Sequence, residues 1–216
     1  MDASTYRGSV AVFRSGTLLA EGEAAMRGAT EERFMPAVAD VVARASLAVS
    51  ELDAVVCGDG PGSFTSLRIA AGIAKGLATA LRIQLFAVPS LGLAVASAGL
   101  AAGRYCAVLD ALRGDAYAAL YDVDPDGGVA ELQPARVVSG AAVESFAAEH
   151  SARLISIGAA SDGSGIWPRA AFAPRLREWL QPATAVDVAG WQPVYGRLAE
   201  AQVKWEAAHG RPLAGA

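Results

Sequence analysis

The sequence predicts an α/β protein of two related halves, each opening on antiparallel strands, with mixed sheets flanked by helices. Three observations lead there. Short apolar runs alternate with stretches of helical periodicity through the first half, as in layered α/β folds. A similar order of elements recurs after Gly103. Finally, 53% of the 216 residues are hydrophobic and only 19% charged, enough core-forming material for one sizeable domain or two small ones packed together. The same balance argues against disorder over most of the length.

The first half opens with strands. Gly8 to Phe13 and Leu18 to Glu23 flank Ser15-Gly16, a small polar turn that suits a hairpin. Thr30 then suits a helix N-cap, with Glu31 and Glu32 where the helix dipole favours negative charge. Val38, Val41, Val42, Ala45 and Val49 recur at helical spacing as one buried stripe, and Pro36 kinks that helix or opens its regular part. Leu52 to Cys57 reads as an apolar strand, followed by the loop Gly58 to Ser63. A second helix is predicted from Thr65 to Leu81, with Ile69, Ile73, Leu77 and Leu81 in i, i+4 register. Opposite them stand Ala70, Gly72, Ala74, Gly76 and Ala78, a nearly bare face. Leu85 to Val88 is another strand, and Pro89-Ser90 starts a third helix.

In the second half, Tyr105 to Leu109, Tyr117 to Tyr121 and Val129 to Val138 read as strands, with a turn at Asp124 to Gly128. A helix near Ala141 to Glu149, a strand at Leu154 to Gly158 and a loop at Ser161 to Gly165 follow. Trp167, Trp179, Trp191 and Trp205 are expected to anchor the end of the chain to the body. This duplicated order suggests a pair of ribonuclease-H-like subdomains, divided as 1–102 and 103–216.

Charge and residue type narrow the function. The net charge is −4, from 18 basic and 22 acidic residues, and Lys75 and Lys204 are the only lysines. A protein that grips nucleic acid unaided carries a basic surface, so any RNA would be held mostly by something else. No apolar run reaches the roughly 18 to 20 residues of a membrane helix, and Asp2 and Arg7 interrupt any leader. A soluble, cytoplasmic protein is expected. Cys57 and Cys106 sit in apolar strand-like runs and read as buried free thiols.

Few segments carry chemistry. In the loop Gly58 to Ser63, glycines and a helix N-terminus could bring backbone amides to a phosphate. However, no Lys-Ser or Lys-Thr pair closes it, and Ser63 breaks the Gly-x-Gly-x-x-Gly spacing. The simpler reading is a strand-to-helix turn capped by Ser63 or Thr65. Gly72-x-x-x-Gly76 lets another helix approach closely, at a cost in helix propensity of about 1 kcal/mol per glycine. That helix belongs either to the same subunit or to a second molecule. The two histidines, His150 and His209, form no His-Glu-x-x-His pair, and no metal-type spacing joins them to the cysteines. No serine lies in a Gly-x-Ser-x-Gly elbow. Asp110, Asp115, Asp122 and Asp124 are candidate acid–base or metal groups, read more simply as turn residues at strand ends. The sequence therefore predicts no catalytic set and no metal site.

Gly58-Asp59-Gly60-Pro61-Gly62-Ser63-Phe64-Thr65-Ser66-Leu67-Arg68-Ile69 resembles the Gly-Pro-Gly-Ser-Phe-Thr-Gly-Leu-Arg signature of the TsaB family. Ala74-Lys75-Gly76-Leu77-Ala78 continues it at the family's offset. Asp2-Ala3-Ser4-Thr5 resembles the family's Asp-Thr-Ser-Thr element, and Glu32-Arg33-Phe34-Met35-Pro36 its His-Ser-Glu-x-Leu-x-Pro helix motif. Leu109 to Tyr117 is similar to Leu-Asp-Ala-Arg-Arg-Gly-Glu-Val-Tyr. Pro193-Val194-Tyr195-Gly196-Arg197, with Glu200-Ala201, resembles the C-terminal Pro-x-Tyr-x-Arg element. The matches keep their order along essentially the whole chain.

The resemblance implies two ribonuclease-H-like lobes of the actin, sugar-kinase and Hsp70 superfamily. It also implies a non-catalytic role in threonylcarbamoylation of tRNA adenosine next to the anticodon. The partner would be TsaD, the metal-binding catalytic relative. TsaE, an ATPase, would join the heterodimer, and tRNA would be reached through TsaD. Self-pairing to a homodimer would use the same two helices of the first lobe. On this reading Glu32, Arg33, Phe34 and Pro36 contribute from the first helix region. Ser63, Phe64, Thr65, Ser66, Arg68, Ile69, Gly72, Ile73, Lys75 and Gly76 contribute from the second. No intrinsic cofactor is expected, and a nucleotide at the subunit junction is an open expectation. Three departures stand out. Only Met1 precedes Asp2 where the family has an apolar strand, so either the natural start lies upstream or that strand is lost. Thr30-Glu31 replaces His-Ser. Ser66 stands where glycine is common, adding bulk to the expected interface. Two alternatives stay open: an active ATP- or metal-dependent enzyme (kinase or peptidase-like) of the same superfamily, and a homodimeric binding protein with no TsaD partner.

Overall fold

The computed structural model describes residues 1–28, 32–159, 165–196 and 209. Thr30, Glu31, Ser161, Arg197, Glu200, Ala201, Lys204 and Trp205 lie outside the described residues. The first hairpin forms as expected. Strand β1 (Arg7–Arg14) pairs antiparallel with β2 (Thr17–Ala25). Ser15 and Gly16 turn it with φ of 50° and 79°, the left-handed pair that matches strand twist in a two-residue turn. Helix α1 (Phe34–Arg44) follows and buries Phe34, Val38, Val41 and Val42. Pro36 falls in its first turn, where a missing N–H costs no helical bond. Arg33 is the N-cap by position and makes no side-chain cap bond, while the carboxylate of Glu32 before it accepts from the amides of Phe34 and Met35. The stripe stops short of Val49, which is 45% exposed. The helix ends at Arg44 and Ser46 reverses the chain at φ 57°, so the helical period no longer applies there.

Strand β3 (Ala54–Gly58) begins after Asp53 and pairs in parallel with β4 (Gln84–Val88) across helix α2 (Phe64–Leu81). Met1 and Asp2 fill the seam between the hairpin and this pair. Asp2 exchanges backbone bonds with Ser9 of β1, Met1 donates its N-terminal ammonium to Val56 O at 2.7 Å, and Gly58 N–H donates to Met1 O. Burial lowers the pKa of that ammonium. The order is therefore β2, β1, Met1–Asp2, β3, β4.

The second lobe repeats this order with a full central strand. Its sheet runs β7 (Val129–Ser139), β6 (Asp115–Val123), β5 (Gly103–Asp110), β8 (Arg153–Ala159) and β9 (Gly165–Ile166). Central β5 pairs antiparallel with β6 and parallel with β8, as the Met1–Asp2 segment does with β1 and β3. Gly165, expected in a loop, starts β9. Alternation sorts the two faces of this sheet. Tyr105, Ala107, Ala119 and Tyr121 enter one core, while Cys106, Ala118 and Leu120 meet Phe146 and Ala147 of α4 (Val143–Glu149) on the other. Helix α3 (Ser90–Ser97) is buried on every side from Ser90 to Ala96, as expected for a helix enclosed between layers. Cys57 and Cys106 are buried free thiols, and burial pushes Cys57 up to about 12.

After β9 the chain returns to the first lobe through 3-10 turns at Ala170–Arg175, Arg177–Leu180 and Pro182–Thr184. Ser9 Oγ, buried on β1, donates to Pro168 O at 2.8 Å and accepts from Ala170 N–H at 2.9 Å. Trp167 lies under the Arg7 guanidinium, and Trp179 and Trp191 pack against the two main cores. Three of the four tryptophans thus anchor the returning chain. No helix among the described residues is long and apolar enough to cross a membrane.

Candidate functional site

Helix α2 presents the expected bare face, but not with the expected members. Residues two apart on a helix do not face the same way, so the small residues divide. Ala70, Ala74 and Ala78 are buried with Leu67 and Ala71 against the sheets. Gly72 and Gly76 point outward, and a Cβ on either would meet nothing within 4 Å. Thr65 and Arg68 are exposed beside them, and half-buried Ile69 and Ile73 border the first-lobe core. Half-buried Lys75 lies on the opposite border. Its ammonium donates to Ala189 O at 3.2 Å and Trp191 O at 2.9 Å.

The other expected contact residues sort by burial. Glu32, Arg33 and Pro36 are exposed at the start of α1. Phe34 is fully buried and lies where a side chain on Gly8 would collide with its ring. Ser66 is 3% exposed, so its bulk faces inward, against the expectation that it thickens an interface. Ser63 caps α2 by position only: its hydroxyl pairs with Ser66 Oγ at 3.0 Å rather than with a backbone amide. Phe64 is half-buried, its ring 4.6 Å from that of Tyr195, with the Arg68 guanidinium 5.3 Å from the Phe64 ring centre.

The loop between β3 and α2 is filled by the chain itself. A side chain on Gly58 would overlap the Asp2 carboxylate, one on Gly60 the carbonyl of Val194, and one on Gly62 the carbonyl of Ser4. Ser63 N–H donates to Ser4 O at 2.7 Å, and Val194 N–H to Asp59 O at 2.7 Å. Gly60 and Gly62 admit the protein's own backbone and Gly58 a buried side chain, which fits the strand-to-helix turn of the simpler reading.

Beneath the loop lies a cluster of carboxyl groups that the sequence did not single out. Asp2 is buried and accepts from Ser90 Oγ at 2.5 Å and from Ser4 N–H and Oγ at 2.9 Å each. Burial raises its pKa, and those bonds oppose the rise. Asp59 is pushed up to about 7, first by burial and then by the like charges of Glu131 and Asp2. Glu131, on β7, is raised by burial while accepting from Tyr121 Oη at 3.0 Å. Asp59 and Asp2 belong to the first lobe, Glu131 and Tyr121 to the second.

The family model described as TsaD, tRNA N6-adenosine threonylcarbamoyltransferase, matches residues 24–162. The tRNA threonylcarbamoyladenosine biosynthesis protein TsaB of Bacillus subtilis (strain 168) is 31% identical over 220 residues, covering 95% of this chain and 96% of that protein. The chain belongs to the TsaB family. The TsaB of Escherichia coli (strain K12) is 35% identical over 129 residues, 59% of this chain and 55% of its own. Among solved structures, YeaZ from Pseudomonas aeruginosa superposes with a TM-score of 0.72 at 25% identity, over 89% of this chain and 97% of YeaZ. A second Pseudomonas aeruginosa structure, of an uncharacterized protein with similarity to peptidase YEAZ, reaches 0.74 at 24% identity, over 91% and 97%. These neighbours and the mixed sheets flanked by helices bear out the expected actin, sugar-kinase and Hsp70 type of fold.

In this TsaB-family chain the second lobe's acidic candidates have structural partners. Asp110 Oδ1 accepts from Leu112 N–H at 2.7 Å, closing the turn between β5 and β6. Asp122 pairs with Arg104 at 3.2 Å, and Asp124 accepts from Gly128 N–H at 2.7 Å. Asp115 follows the same turn and is also engaged. His150 lies between Phe146 O at 2.8 Å and Gln133 Nε2 at 3.0 Å. Among the described residues no group of three His, Cys, Asp or Glu side chains is arranged to hold a metal ion.

Proposed function

We propose that this chain is an accessory subunit in the synthesis of threonylcarbamoyladenosine in tRNA, pairing with TsaD through the α1–α2 face of its first lobe while TsaD carries the chemistry. Membership of the TsaB family supports the pathway. The observation that carries the pairing is the open strip at Gly72 and Gly76, with exposed Thr65 and Arg68 alongside, on a helix whose other sides are buried. Bare glycines one turn apart let a second helix come close, and their cost to the helix has no return inside the subunit. A supporting role is consistent with acidic residues that serve turns and ion pairs. The net charge of −4 leaves the RNA phosphates to a partner.

The test is light scattering on a size-exclusion column, with this protein and TsaD of the same organism. A stoichiometric heterodimer is expected, and TsaE with nucleotide is expected to join it rather than to bind this chain alone. Gly72→Leu and Gly76→Leu should each weaken pairing by about 100-fold, roughly 3 kcal/mol, by holding the helices apart. Both variants should keep the wild-type circular dichroism, since the added side chain meets nothing of its own subunit. Normal pairing by both would remove α2 as the interface. The protein run alone tests self-pairing through the same strip.

A further inference from the structure

The open face of α2 is bordered by a segment with no regular secondary structure. Residues 185–196 run back over the first lobe as a strap. Val186 N–H donates to Leu85 O of β4 at 2.8 Å. A turn follows in which the Asp187 carboxylate accepts from Ala189 and Gly190 N–H. Lys75 grips the carbonyls of Ala189 and Trp191, and Val194 reaches the glycine loop through Asp59 O. At the end, the Tyr195 ring packs at a tilt against Phe64 while its carbonyl accepts from Tyr117 Oη of β6 at 3.3 Å. The strap therefore holds α2 at its first residue and again three turns later, and joins both points to the second lobe.

Helix α2 depends on such ties. Its alanines and leucines favour a helix, but it carries two glycines, has no acidic residue in its first turn and receives no capping bond from Ser63, each of which weakens it. Gly72 lies between the two clamped positions and Gly76 directly after the second. The strap is held by these polar bonds and by modest apolar contact: Pro193 is buried, Val186, Val188 and Trp191 are only partly buried, and Val194 is 51% exposed. Segments of this kind open at low free-energy cost.

We propose that residues 185–196 form a latch that sets the α2 pairing face and couples it to the second lobe, with Lys75 and Tyr195 as positioning residues. This rests on the pairing reading above. Two binding events that favour one arrangement strengthen each other equally. Pairing on the strip must then tighten the latch.

Hydrogen exchange on the full chain, free and with saturating TsaD, tests this. Exchange across 185–196 should slow by about fivefold or more on pairing. Lys75→Met and Tyr195→Ala should speed strap exchange, leave β5 and β6 protected, and weaken pairing by about fivefold or more. Lys75→Arg, which keeps a donor, should restore most of both. If either variant frees the strap but pairs like wild type while Gly72→Leu does not pair, the latch is wrong and the pairing face stands. If Lys75→Met leaves the strap protected, the latch is wrong as well. If Gly72→Leu pairs normally, the pairing face itself fails.

Discussion

Gly62→Ala is expected to destabilise the protein by at least about 3 kcal/mol, whereas Gly72→Ala, within the helix that follows, should stabilise it by up to about 1 kcal/mol. The contrast follows from what each position meets. A Cβ on Gly62 runs into the Ser4 carbonyl, and Ser63 N–H donates to that same oxygen at 2.7 Å. Backbone lies on both sides, so relief requires moving the loop or the Asp2–Ser4 turn with its buried carboxylate. At Gly72 the space is open, and alanine removes only backbone freedom of the unfolded chain. For a chain of this size the loss at Gly62 corresponds to a fall in melting temperature of roughly 6 °C or more, and the gain at Gly72 to a rise of a few degrees. Thermal unfolding followed by circular dichroism checks both. A Gly62→Ala protein as stable as wild type would mean that the loop is not packed on Ser4. Its glycines would then be free to serve a ligand instead.

Reading the glycines this way also shows which parts of the fold were legible in the sequence. Local signals carried well. The Ser15-Gly16 turn, the alternating residues of β5 and β6, and Pro36 at the opening of α1 each settle their element within a few residues. Helix α2 was legible as a helix, but the membership of its bare face was not. Five small residues at spacing two look like one strip on the page and split into two on a 3.6-residue period. Phe34 and Ser66 sit in motifs that suggest contact, yet each turns into the subunit, since a motif names residues and not the side they face. Val49 failed because nothing local announces the reversal at Ser46, which adopts a left-handed conformation without being glycine. The strap has no periodicity at all. Its bonds to Leu85, Lys75, Asp59 and Tyr117 are long-range, and only Trp191 and the Pro193–Tyr195 match hinted that this stretch packs down. The carboxyl cluster is assembled from Asp2, Asp59 and Glu131, which no local spacing relates.

Asp59 in that cluster is expected to take stability from the protein as pH rises. Asp59 has its folded pKa raised to about 7 from an ordinary 3.8, so the folded state holds a proton that the unfolded chain releases. Where the folded state binds more protons, stability declines with pH. The decline starts near pH 4, runs until the folded carboxyl has titrated near pH 7, and is flat above. The full displacement corresponds to about 4 kcal/mol, of which roughly half is expected once solvent and local rearrangement screen the charge. Asp2 and Glu131, both raised by burial, act in the same direction, whereas the buried Met1 ammonium, its pKa lowered, acts in the opposite one. The Asp59 share alone corresponds to a thermal unfolding midpoint about 4–8 °C higher at pH 5 than at pH 8. Asp59→Asn should remove most of that difference by raising the midpoint at pH 8 while changing little at pH 5. Asparagine keeps the size of the side chain and the backbone bond to Val194, so only the titration is lost. A variant with the wild-type slope would show that Asp59 is ionised in the folded protein at neutral pH without penalty. Glu131 would then not face it closely enough for the two lobes to share that charge.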